Sequence, residues 1–242
     1  MAVNFRYCVD KTGKLKVHTT KTASAVITAS YGPVVQNVTV TVADGRFWYS
    51  LGNGLGNGQD NNWYLDGNGA SVVSSDGKKT IVQMGSGYRG DLWLARSGKG
   101  KVVNVTPADY RYFAIKVGFK SQLVPGKNKP NGCIKLEIFD DGIKKIGPEY
   151  FGTGGDANNR YEILGASEIS TTEPNVLYYD LQSKYKTVTP TDWNQVFDLA
   201  QCKFVIADFP ETAQTYDLYW IRSFKSIEEL QAFVDSENNT NE

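Results

Sequence analysis

The chain has 242 residues, enough for one large domain with a real hydrophobic core, and 40% of them are hydrophobic and 12% aromatic. Lys plus Arg and Asp plus Glu both number 26, so the formal net charge is zero. There is no basic stripe for a phosphate backbone to grip, and nucleic acid is not expected as a partner. No run approaches the ~18 apolar residues that span a bilayer, and the first six residues lack the basic start and apolar centre of a secretory signal.

Taken in chain order, short runs rich in Val, Ile, Thr, Tyr and Phe are punctuated by Gly, Asn and Asp. The pattern predicts strands over 14–19, 25–30, 34–42, 47–51, 71–74, 80–84, 91–95, 111–119, 133–139, 161–164, 176–181, 203–208 and 216–224. The pairs Asp44-Gly45, Asp66-Gly67, Asp76-Gly77 and Asp141-Gly142 read as hairpin turns between apolar runs. Many strands and few helices predict an all-β fold, a jelly-roll-like antiparallel β-sandwich with one short C-terminal helix. Residues 1–40 are Thr- and Val-rich and read either as the first strands of the sandwich or as the end of a preceding domain, with the first preferred. Residues 41–235 read as the sandwich proper, and residues 236–242 as a polar, disordered tail.

Two helical stretches stand out. Ser226-Ile227-Glu228-Glu229 is a capping box, followed by an apolar stripe of Ile227, Leu230, Phe233 and Val234. After Pro190, the residues Trp193, Val196, Phe197 and Ala200 have helical spacing, which makes Trp193 a core residue rather than a ligand platform.

Alternation decides where the tryptophans point. In Gly90-Asp91-Leu92-Trp93-Leu94-Ala95-Arg96 the two leucines share one face and Trp93 stands on the other with Asp91. In Arg46-Phe47-Trp48-Tyr49-Ser50-Leu51, Phe47, Tyr49 and Leu51 face inward and Trp48 falls between Arg46 and Ser50 on the outward side. Leaving an indole wet forgoes much of the ~1.5 to 3 kcal/mol gained by burying a large apolar side chain. An outward tryptophan therefore calls for a covering element or a flat ligand with polar edges, such as a sugar ring. The expectation is that Trp48 and Trp93 share one open, partly exposed face.

Three further segments carry candidate contacts. Gly85-Ser86-Gly87-Tyr88-Arg89-Gly90 has the letters of a dinucleotide fingerprint, but a strand pattern follows it instead of a helix. It reads as a loop that holds Tyr88 and Arg89 beside Trp93. The glycine- and asparagine-rich stretch 52–62 ends in Trp63 and Tyr64, pairing amides for hydroxyls with aromatics for ring faces, or else forming a mobile loop with Trp63 tucked onto the core. Its Asn and Asp oxygens leave a structural calcium open, without EF-hand spacing, and no other cofactor is expected. In 110–119 the outward residues Tyr112, Ala114, Lys116 and Gly118 outline a shallow trough in which Lys116 could donate to sugar oxygens.

Catalysis finds little footing. The sole histidine, His18, lacks triad or metal partners in its segment, and there is no nucleophile elbow and no two-histidine zinc motif. Cys8, Cys133 and Cys202 are odd in number and far apart, which argues against a disulfide framework and a zinc cluster. A two-carboxylate glycosidase leaves no local signature; Glu137, Glu149 and Glu162 are the acids to check.

The segment from Cys202 to Pro210, followed by Tyr216-Asp217-Leu218-Tyr219-Trp220-Ile221-Arg222 and Ser223 to Leu230, resembles the ending of a family of β-sandwich domains. That family occurs in surface glycan-binding lipoproteins of Bacteroidetes polysaccharide-utilisation systems. Tyr112 to Val117 and Tyr178 to Leu181 look like its internal strands, so the resemblance covers roughly residues 45–235. It implies a non-catalytic, monomeric carbohydrate-binding module that holds a polysaccharide, such as xylan, at the outer membrane surface. Membrane attachment would come only through a lipid anchor absent from this chain, which reads as a soluble piece of a longer exported protein. The competing readings are a glycoside-active sandwich enzyme and a structural or adhesion domain.

Overall fold

The computed structural model of the chain describes residues 6–9, 15–18, 23–42, 46–58, 62–86, 89–96, 99–100, 103–105, 107–120, 133–140, 144–145, 161–182, 197–207 and 215–239. Near the N-terminus β1 (Arg6–Val9) pairs with β2 (Leu15–His18), and β3 (Ala23–Tyr31) with β4 (Val34–Val42). Each pair is a two-stranded sheet of its own. Among the described residues neither ladder shares a rung with the sheets that follow.

Those sheets have seven strands each and are antiparallel throughout. The front sheet comprises β5 (Trp48–Ser50), β7 (Ser71–Ser75), β8 (Thr80–Gln83), β12 (Tyr112–Phe119), β15 (Glu162–Ile163), β16 (Asn175–Asp180) and β18 (Thr215–Phe224). Its order is β15-β16-β12-β18-β8-β7, and β5 also pairs with β18. The back sheet comprises β6 (Tyr64–Leu65), β9 (Gly90–Arg96), β10 (Lys99–Gly100), β11 (Val103–Val105), β13 (Cys133–Asp140), β14 (Lys144–Lys145) and β17 (Phe197–Ala207). Its order is β10-β9-β17-β13-β14, with β11 on β17 and β6 on β9. From β8 to β18 the chain crosses repeatedly between sheets, in the jelly-roll manner that makes the central pairings of both sheets, β9–β17–β13 and β16–β12–β18–β8, non-local.

Alternation, interrupted once in β18, explains the core. Phe113, Ile115, Val117 and Phe119 of β12, Leu177 and Tyr179 of β16, and Leu218 and Ile221 of β18 meet Leu92 and Leu94 of β9 and Cys202, Phe204 and Ile206 of β17. Trp63 lies at the centre of this interface. Its ring stands 5.5 Å from Phe204, 6.1 Å from Tyr49 and 6.4 Å from Phe113, so aromatic edges from both sheets close on it. Burial raises the thiol pKa of Cys202 and leaves it an inert core residue.

The helix α1 (Ile227–Asn239) starts where the capping box predicts. The Glu229 N–H donates to Ser226 Oγ at 3.2 Å, and the Glu229 carboxylate accepts the Lys225 N–H at 2.7 Å. Two expectations are corrected. Residues 236–239 are not a disordered tail but the last turn of α1, retained because Glu237 finds partners on the front sheet. Phe197 and Ala200 are not helical but belong to β17, where pairing with β11 and β13 overrides the local 3.6-residue spacing; Trp193 lies outside the described residues.

Trp63→Ala is expected to lower stability by about 3 to 5 kcal/mol, because the ring is wholly buried and neighbours from two sheets cannot close on the void. Urea unfolding followed by far-UV circular dichroism checks this, and a loss under 1 kcal/mol would contradict the central placement.

Candidate functional site

The two tryptophans expected to share a face are on opposite sheets. Trp48 belongs to β5 of the front sheet and Trp93 to β9 of the back sheet, so their outward sides point away from each other. The phase of each strand is as alternation requires, but facing outward is not the same as being exposed. Trp93 is only 8% exposed while Trp48 is 43% exposed.

Trp93 is covered by its neighbours. In register it lies between Tyr64 of β6 and Lys203 of β17. The Lys203 ammonium sits 4.5 Å from the centre of the indole, and Nε1 donates to the Asp66 carbonyl at 3.3 Å. Tyr64 is itself buried, because Gly58 lies flat on it: a Cβ at Gly58 would stand 3.2 Å from the ring, and its φ of +85° favours glycine. Arg89 does come close to this cluster, but it clamps Asp91 with two bonds of 2.7 and 2.8 Å. Burial pushes the Asp91 carboxyl up, but the Arg89 hydrogen bonds and the Lys203 charge outweigh it and hold it below the usual carboxylate range. Trp63 and Tyr64 therefore serve as packing residues and not as an open platform. Tyr88 lies outside the described residues.

The trough expected at Tyr112 to Lys116 is filled. Small Ala114 lets α1 approach, and Ala114, Val176, Trp220 and Phe224 form a second apolar cluster with Leu230, against which Phe233 and Val234 pack. Lys116 Nζ donates to Glu237 Oε2 at 3.0 Å, and Trp220 Nε1 donates to the same oxygen at 3.0 Å. Lys116 is thereby committed to the helix.

What remains open are the two flanks of α1. On one, Tyr112 and Tyr178 meet edge to face at 6.2 Å, both half-buried, beside the bidentate pair of Arg111 and Asp180 at 2.7 and 2.6 Å. On the other stands Trp48. Its indole is braced at 5.8 Å by Phe224 and at 5.3 Å by Phe233. The Arg46 guanidinium carbon lies 4.0 Å and that of Arg222 4.3 Å from the ring centre. Arg222 Nη2 donates to Ser50 Oγ at 3.1 Å.

Strand pairing assembles this flank. The β5–β18 ladder sets Arg222 opposite Trp48, and Ala114 and Tyr178 continue the same row across β12 and β16. Arg222 and Tyr178 were not legible as site residues: Arg222 and Ser50 are 172 positions apart, and only the ladder joins them. Arg46 did have a signal, two residues before Trp48 on the same outward face.

Glu137 lies in β13 and Glu162 in β15, on different sheets, and Glu149 lies outside the described residues. Among the described residues no three His, Cys, Asp or Glu side chains gather closely enough to hold a metal ion.

The fold and this aromatic, cation-flanked face define an antiparallel β-sandwich module with a helix laid on one outer face. The chain belongs to the family described as "Domain of unknown function (DUF4979)", which matches residues 51–230. No curated protein matches it. Among solved structures it is similar to a low-affinity xylan-binding module of the CBM86 class from the gut symbiont Roseburia intestinalis. The identity is 13%, over 86% of this chain and 98% of that one, with a TM-score of 0.28. That likeness is too distant to carry residue roles across.

Two outcomes follow from the contacts on the sheets. Because Asp91 titrates lower folded than unfolded, its contribution is present above about pH 4 and lost as pH falls through the lowered value. Thermal melts of Asp91→Asn should therefore lie below wild type at pH 7, with the gap closing below about pH 4; a pH-independent gap would show that the ion pairing is not the cause. Glu237→Ala strips one acceptor from both Lys116 and Trp220, and should lower stability by about 1 to 3 kcal/mol in chemical denaturation.

Proposed function

We propose that the protein is a non-catalytic carbohydrate-binding module that holds a polysaccharide through the outer face of its front sheet. Trp48 carries this reading. Of the four described tryptophans, Trp48, Trp63, Trp93 and Trp220, it alone is exposed, and it is braced on a rigid sheet by two phenylalanines and attended by guanidinium donors. An aromatic surface flanked by planar donors suits the apolar face and hydroxyl edge of a pyranose ring. The half-buried Tyr112 and Tyr178 offer a second contact on the far flank of α1.

The resemblance of residues 45–235 to surface glycan-binding domains supports the same reading, with a plant cell-wall glycan such as xylan as the first candidate and the outer membrane surface as the place of action. In this reading attachment runs through a lipid anchor, the module is a monomer, and any calcium is structural only.

Sugar hydroxyls exchange water for protein at little net gain, so a single shallow site should bind at micromolar to millimolar strength, roughly 8 to 4 kcal/mol. Trp48→Ala should cost about 2 kcal/mol of that affinity while leaving the fold intact. Affinity electrophoresis in gels containing xylans, glucans or mannans, with melts of both proteins, checks this. Unchanged retardation would remove Trp48 from the site. Long incubation with the retarding glycan should release no reducing ends, and turnover abolished by Glu162→Gln would replace the module with the enzyme.

A further inference from the structure

The charge arrangement around Trp48 says more about the ligand than the indole alone. Two guanidinia approach one ring, Arg46 at 4.0 Å and Arg222 at 4.3 Å. Lys225 stands nearby, its ammonium 5.7 Å from the Tyr110 ring that also lies 5.8 Å from Arg46. Each guanidinium has one carboxylate within ion-pair reach, and both carboxylates are shared with other donors. Glu229 Oε1 is 3.9 Å from Arg46, while its Oε2 accepts the Lys225 N–H at 2.7 Å. Glu237 Oε1 is 3.9 Å from Arg222, while its Oε2 serves Lys116 and Trp220 at 3.0 Å each.

Arg222 is 9% exposed, and its Nε has no hydrogen-bond partner among the described residues. Burial draws its pKa down, partly offset by Glu237, and the positive charge of Arg46 draws it down further. An anion arriving beside the two guanidinia would offset that repulsion. A guanidinium resting on an aromatic face also keeps its N–H donors in its own plane, directed past the ring edge, where a carboxylate can be met by two parallel bonds.

We propose that this site takes an acidic glycan: a uronic-acid residue lies against the exposed part of Trp48, and its carboxylate is held by Arg46 with Arg222 behind it. The inference rests on the carbohydrate-binding reading and narrows it from sugars in general to carboxylated ones. It also assigns Arg46, 32% exposed in its side chain, as the residue that sets specificity.

The test compares one polysaccharide in two forms. Glucuronoxylan is used as isolated and after carbodiimide–borohydride reduction of its carboxyl groups to alcohols, with polygalacturonate and a neutral glucan as further gels. The wild-type protein should be retarded at least tenfold more strongly, in apparent affinity, by the carboxylated forms. That preference should shrink at high salt, since exposed charge pairs are screened. Arg46→Gln should erase the preference with only a small drop in melting temperature, Arg46→Lys should keep part of it, and Lys120→Gln, at the other end of the sheet, should leave it unchanged. Equal binding to native and reduced glucuronoxylan overturns the acidic-ligand proposal while leaving glycan binding intact. Retardation by none of these gels, and by no other glycan on an array, overturns the glycan-binding reading itself. The comparison of native and reduced polymer uses wild-type protein only, so it decides the matter even where a variant fails to fold.

Discussion

Leu218 and Ile221 both face the inner core although they are three residues apart, and strict alternation would send one of them outward. The difference is absorbed at Tyr219, where the ladder to β12 slips: Val117 pairs with Leu218 and Lys116 with Trp220. Tyr219 is left over, and its carbonyl accepts the Leu51 N–H at 2.8 Å, at the point where β8 hands this edge of β18 to β5. The bulge lets β18 be buried on both faces. It turns Trp220 toward α1, places Arg222 opposite Trp48, and seats Phe224 beneath Phe233. Helix, aromatic flank and guanidinium pair all depend on that one extra residue.

The two outward tryptophans show how an outer sheet face is settled by its neighbours. On the back sheet a strand of two residues, β6, together with Lys203 and the Asp66 carbonyl, encloses Trp93, so its ring stabilises the fold. On the front sheet α1 covers Trp220 and Phe224 but meets Trp48 through Phe233 alone, edge to face at 5.3 Å, among the contacts of the described residues. A ring held firmly yet left partly wet is the useful case for binding, because little conformational entropy is lost when a ligand arrives. The same helix removes Lys116 from the surface and satisfies Trp220 through a single carboxylate, Glu237. The polar last turn of α1 thus fixes the helix on the front sheet.

The strands were legible because their signals are local. The alternation of Phe113, Ile115, Val117 and Phe119, the turn at Asp76-Gly77 and the Ser226 capping box each act within a few residues, and each appears where the pattern places it. The inward or outward sense of Trp48, Leu92, Trp93 and Leu94 follows from the same period. The three-residue and two-residue strands β11 and β6 were not legible, since they exist only by pairing with a longer partner.

The amino-acid sequence by itself determined the class of fold, the phase of the long strands and the start of the helix, because these depend on period and on caps that operate over a few residues. Only the tertiary structure decided which sheet each strand joins, and with it that Trp48 and Trp93 face opposite ways, that Trp63 and Tyr64 pack rather than bind, and that Arg222 comes to lie on Trp48. Those outcomes rest on ladders between strands far apart in the chain and on one bulge in β18, and a period read along a single strand carries no information about what will lie across from it.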